Sequence, residues 1–118
     1  MITNHEEETY ELTYDELKLA KQLIPAFELR TKENPIIASE IVRRVNLTMS
    51  IPFKFSDVRL RKIVNYYRVH SILPIMSCSK GYYVSRDEEE IKTMMVSLQE
   101  RANSIQRCVD GLNNFLNR

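Results

Sequence analysis

The sequence predicts a mainly α-helical fold with one small β-hairpin: a winged helix-turn-helix followed by a long, coiled-coil-like C-terminal helix. Three observations predict it. Three segments with helical spacing of apolar residues precede two short strand-like strings at 75–84. After the hairpin, apolar residues recur at alternating steps of four and three from Ile91 to Leu116. The chain of 118 residues is 43% hydrophobic with only 2 Gly, a balance that suits one ordered domain with an extension. The expected layout is a flexible N-terminus over 1–12, a winged helix-turn-helix over 13–86 and a dimerisation helix over 87–118.

Taken in order, the first helix begins at Tyr14, where Thr13 caps it and Glu16 completes a capping box. The spacing of Leu17, Ala20, Ile24 and Phe27 marks one buried face, and Pro25 is expected to kink or divide the helix. Ser39 is the expected cap of the second helix, with Ile41, Val42 and Val45 inward. LTMSIPFKF then reads as an irregular, partly buried connection because it is apolar yet holds Pro52. Ser56 caps the third helix, and Asp57 sits in its first turn, where the helix dipole favours an anion.

On the third helix, 100° per residue puts Leu60, Ile63, Val64 and Tyr67 on one face. Arg61, Lys62, Asn65 and Arg68 fall on the other, flanked by Arg59 and Tyr66. Pro74 ends the helix. Ile75 and Met76 pair with Tyr82, Tyr83 and Val84 around SCSKG, with Gly81 free to take a positive φ. One of the two tyrosines should face the core and the other solvent. Ser85 and Glu88 form a second capping box, and the last helix carries the heptad positions Ile91, Met95, Leu98, Ala102, Ile105, Val109, Leu112 and Leu116.

Charge is unevenly spread. Residues 1–37 carry 8 acids and 4 bases, 38–86 carry 2 acids and 9 bases, and 87–118 carry 6 acids and 4 bases. The positive middle points to a polyanionic partner, while a solvated basic face balancing the acidic ends is the plainer reading. In a winged helix the third helix enters the major groove. Arg61 and Arg68 then reach a guanine edge or a phosphate, Asn65 an adenine edge, and Arg59, Lys62, Ser79 and Lys80 the backbone. Asn65 is expected to brace the wing or a neighbouring backbone group in preference to reading a base, and Arg43 and Arg44 to hold phosphates or stay solvated.

Other classes have little support. There is no Gly-rich phosphate loop and no His beside a nucleophile, so no enzyme, cofactor or small-molecule ligand is expected. His5, His70, Cys78 and Cys108 are isolated from one another, which argues against zinc and for reduced, buried or half-buried thiols. No apolar run approaches a membrane span and the N-terminus is acidic, so no membrane association and a cytoplasmic location are expected.

The strings VRLRKIVNYYR, SKGYYVSRDEEE and SLQERANSI together resemble small winged-helix proteins encoded by bacteriophages and prophages. The recognition helix of that group reads LR-x-I-x-N-x-x-R, matched by Leu60, Arg61, Ile63, Asn65 and Arg68. Its wing reads P-I-x-S-x-S-x-G-Y-Y, matched by Pro74, Ile75, Ser77, Ser79, Gly81, Tyr82 and Tyr83. A capped helix with SL-x-x-R-x-x-x-I is matched by Ser97, Leu98, Arg101 and Ile105. The likeness covers about residues 56–105, and the connection LTMSIPFKFS departs from it by being longer than a tight turn.

The resemblance implies a DNA-associated protein of a mobile element, acting in replication or transcription control. The expected partners are duplex DNA and a second copy of the chain. The alternative is a protein-binding winged-helix module, such as a phage inhibitor of a host enzyme or defence complex, whose partner is a host or phage protein.

Overall fold

A computed structural model describes residues 11–116. The elements in order are α1 (Tyr14–Glu28), α2 (Ala38–Thr48), α3 (Asp57–Val69), β1 (Ile75–Cys78), β2 (Gly81–Val84) and α4 (Glu88–Leu116). This is the winged helix-turn-helix order with a long C-terminal helix. The chain divides into two compact units, 1–85 and 86–118. Of the expected flexible N-terminus, residues 1–10 lie outside the described part.

The first unit is held by one core. Leu19, Ala20, Leu23 and Phe27 of α1 meet Ile41 and Val45 of α2, Leu60, Ile63, Val64 and Tyr67 of α3, and Ile75 and Val84 of the hairpin. The buried face of α3 is the one its spacing predicts. That of α1 is rotated from the expected one: Leu19 and Leu23 are buried, whereas Leu17 and Ile24 are only half-buried. Pro25 does not divide α1, which runs through it. Pro25 and Lys21 both lie on the exposed side, where water can take the Lys21 carbonyl that a proline leaves without an N–H.

The helix starts show which caps compete successfully. Thr13 Oγ1 accepts from the Glu16 amide at 3.1 Å and Glu16 Oε1 accepts from the Thr13 amide at 2.9 Å, the reciprocal capping box. Ser56 caps α3 by accepting from the Arg59 amide. Ser39 does not cap α2; the helix begins at Ala38 with Ile37 extended before it and no side-chain cap. Nor does Ser85 cap α4. Its amide is bonded to the Pro74 carbonyl, and the Glu90 amide donates instead to Asp87, two residues later.

The connection 49–56 is irregular and partly buried, with Phe55 fully inside. Asn46 fixes it from α2: its Nδ2 donates to the Phe55 carbonyl at 3.0 Å and its Oδ1 accepts from the Phe55 amide at 2.9 Å. One side chain thereby satisfies both backbone groups of a buried residue that no ladder serves.

β1 and β2 pair antiparallel with Ile75 opposite Val84 and Cys78 opposite Gly81, so the turn is Ser79-Lys80. The far edge of β2 is not free. Ile36, between α1 and α2, exchanges two backbone bonds with Tyr82 at 3.0 and 2.8 Å, and the Val84 amide donates to the Arg30 carbonyl. Neither tyrosine stands in open solvent: Tyr83 is buried and Tyr82 packs half-buried against the core. Gly81 has φ +123°, and a Cβ there would lie 2.2 Å from the Ile36 carbonyl oxygen, so only glycine permits this close approach.

α4 runs 29 residues with no buried residue. Cys78 and Cys108 are both free and exposed, not buried as the sequence suggested.

Candidate nucleic-acid interface on α3 and the hairpin

The seven side chains expected to meet DNA divide into two groups. Arg59 Nη1 donates to Glu16 Oε2 at 2.7 Å and Lys62 Nζ to Glu16 Oε1 at 2.8 Å. Glu16 is 1% exposed, Lys62 14% and Arg59 33%. Arg59 also lies over the Phe53 ring at 4.3 Å, a cation–π contact. Lys62 is therefore not on a solvated face; it is drawn to the buried carboxylate at the N-terminus of α1.

From the sequence Glu16 is expected only as a cap. Burial by itself would raise its carboxyl pKa. The bond from Lys62, the Thr13 amide and the charges of Lys62 and Arg59 outweigh this, and its carboxyl sits below the ordinary value. Its charge is thus shared between a helix cap and two cations 43 and 46 residues away.

Arg68 braces the wing. Its Nε donates to the Ile75 carbonyl at 3.0 Å and its Nη2 to Ser77 Oγ at 3.3 Å. This is the task expected of Asn65 from the sequence, and Arg68 performs it instead. The Asn65 amide, half-buried on the outward side of α3, makes no hydrogen bond among the described residues. Beside it Arg61 is 58% exposed and touches Asp57 only at 3.5 Å, an exposed pair worth little. Ser79 and Lys80 form the exposed hairpin tip. What the fold presents outward is therefore Arg61 and Asn65 on α3, with Ser79 and Lys80 on a hairpin bound to the same helix.

On α2, Arg43 and Arg44 both pair with Glu40. Arg43 is bidentate at 3.0 and 2.6 Å, and Arg44 Nε donates at 2.7 Å. The bonds from Arg43 first, then Arg44, hold the Glu40 carboxyl down to about 2. Residues 11–85 still carry 12 bases against 7 acids, so internal pairing leaves an excess of positive charge.

Buried Tyr67 donates its hydroxyl to the Ala20 carbonyl, joining α3 to α1. Burial first, and the neighbouring Tyr66 second, push its phenol far above the ordinary range. It is structural. Between α1 and α2 runs a groove of about 550 Å³ lined by Leu23, Phe27, Ile41, Val45 and Met49, with Arg30 and Arg44 in its walls. Among the described residues no group of three His, Cys, Asp or Glu could hold a metal ion, and no helix is long and apolar enough to cross a membrane. No family model, curated protein or solved structure matches the chain.

Proposed function

We propose that the protein binds duplex DNA as a homodimer, with α3 and the hairpin as the contact surface and α4 as the dimerisation helix. The observation that carries this reading is the outward pair Arg61 and Asn65. Both have side chains uncommitted to the fold, or nearly so, and both chemistries read base edges. Lys80 and Ser79 supply backbone contacts from the tip. The net positive charge of residues 11–85 supports it, and so do the strings that resemble phage and prophage winged-helix proteins. These favour a role in replication or transcription control of a mobile element.

Fluorescence anisotropy with labelled duplex at two salt concentrations tests the reading. Arg61→Ala is expected to relax base preference by about 1–3 kcal/mol at one position. Lys80→Ala should weaken all duplexes alike and flatten the salt slope by about one unit. If both variants bind like the parent, or the parent binds nothing at low salt, this surface is not a DNA interface. The groove between α1 and α2 favours a second reading, a protein-binding module. Capture of an apolar peptide segment would then persist at high salt, where duplex binding collapses.

A further inference from the structure

We infer that α4 pairs with α4 of a second copy in antiparallel orientation; this rests on the homodimer reading above. The heptad seam places Met95, Ala102, Val109 and Leu116 at a positions and Ile91, Leu98, Ile105 and Leu112 at d. The two flanks of that seam differ in kind.

One flank, the e positions, holds Lys92, Gln99, Gln106 and Asn113. Three of these are engaged along their own helix: Lys92 with Glu88 at 2.9 Å, Gln99 with Asn103 at 3.0 Å and Gln106 with Asp110 at 2.9 Å. They form a polar, self-satisfied edge. The other flank, the g positions, holds Met94, Arg101, Cys108 and Phe115. It is apolar except at Arg101, whose aliphatic stem can lie along it with the guanidinium in water.

In a parallel pair each g position faces an e position of the partner. Met94, Cys108 and Phe115 would then abut amides already bonded elsewhere, burying apolar surface against polar groups. In an antiparallel pair g faces g and e faces e. The apolar edges then cover one another and the amide edges stay in water. Opposed helix dipoles favour the same arrangement.

The surface available is of the right order. Met95, Ile105, Val109, Leu112, Phe115 and Leu116 are all more than half exposed. At roughly 80 Å² of apolar surface for a fully exposed side chain, they offer about 300 Å² per helix. Doubled, and scaled to the ~65% apolar share of homodimer interfaces, this gives about 900 Å². Ile91, Met94 and Leu98 raise it past the roughly 1,000 Å² that a specific interface needs.

The test uses the full chain carrying Cys78→Ser and Cys108→Ala, which keeps the g flank apolar, with one spin label introduced at Thr93→Cys or, in a separate sample, at Asn114→Cys. Both sites are exposed and off the seam, so helix content by circular dichroism should be unchanged. Light scattering counts the chains and pulsed electron resonance measures label separation. In a parallel in-register pair both labels give similar separations of about 25 Å or less, set by two helix diameters. In an antiparallel pair the two axial separations add up to about 63 Å for every register whose two-fold axis crosses between the labels, because 21 residues at 1.5 Å are traversed twice. Two chains with the second pattern are expected. Two chains with two short separations overturn the antiparallel arrangement and leave the dimeric DNA reading standing. A single chain at micromolar concentration overturns both, and more than two chains overturn the pair.

Discussion

Replacing Glu16 by Gln should destabilise the winged-helix unit by about 2–3 kcal/mol. The magnitude follows from three parts of the structure. Removing one partner of a buried ion pair costs about 3–5 kcal/mol, because the remaining charge is left without compensation. Here the remaining charges are Lys62 at 14% exposure and Arg59 at 33%, so water recovers part of the loss and brings it to the bottom of that range or just below, about 2–3 kcal/mol. The capping contribution is retained, since a Gln oxygen can still accept from the Thr13 amide. Each kcal/mol moves the midpoint of a unit this small by roughly 4–8 °C, so a fall of about 10–20 °C is expected. All 6 tyrosines lie between positions 10 and 83, whereas α4 has none, and there is no Trp. Tyrosine fluorescence therefore follows the first unit selectively during urea or thermal unfolding. The pH dependence supplies an internal control. The folded carboxyl lies below its ordinary value of 4.5, so its contribution is full above the unfolded value and disappears as pH falls through the folded one. Parent and variant should converge in acid. A difference under about 0.5 kcal/mol at neutral pH, in the range of an ordinary surface change, would refute a structural role for the Glu16 cluster.

Two further substitutions probe the joints of the fold. Gly81→Ala should cost about 3 kcal/mol in urea unfolding, because the left-handed backbone is strained for alanine and its Cβ meets the Ile36 carbonyl; an unchanged midpoint would mean that the Ile36–Tyr82 pairing is dispensable. Asn46→Ala should cost about 1–3 kcal/mol by stranding both backbone groups of Phe55, and hydrogen exchange should quicken at the Phe55 amide in particular; protection equal to the parent's would refute the clamp.

Local signals in the chain carried much of this fold. The core face of α3, the Thr13 and Ser56 caps and the hairpin are each set by residues within one or two turns of each other, so spacing alone reveals them. Where two local solutions were similar in quality, tertiary context decided. Leu19 and Leu23 lie beside the Leu17 and Ile24 stripe, and it is the former pair that faces the core. Ser85 is a good cap by type, but its amide is taken by Pro74, and the helix starts where Asp87 can serve it. Ile36 gave no strand signal because a single bridged residue has no period. For the candidate interface the sequence shows the helix side and its charge but not the partners within the fold. Basic residues on one face read alike whether they meet a ligand or a buried carboxylate from another helix. Nothing within α3 indicates that Lys62 and Arg59 belong to Glu16, or that Arg68 rather than Asn65 reaches the wing.

The Arg68 contacts make the helix and the hairpin a caliper of fixed opening. A wing joined to its domain only through a flexible turn must be immobilised at each encounter, losing side-chain and loop freedom at that moment. Here a guanidinium holds the Ile75 carbonyl and Ser77 in place beforehand, so the distance from the outward face of α3 to the Lys80 tip is set during folding. If the proposed surface binds DNA, a fixed span favours duplexes whose two contact points match it, and loosening one bond at Arg68 blunts that preference while leaving every outward-facing residue in place.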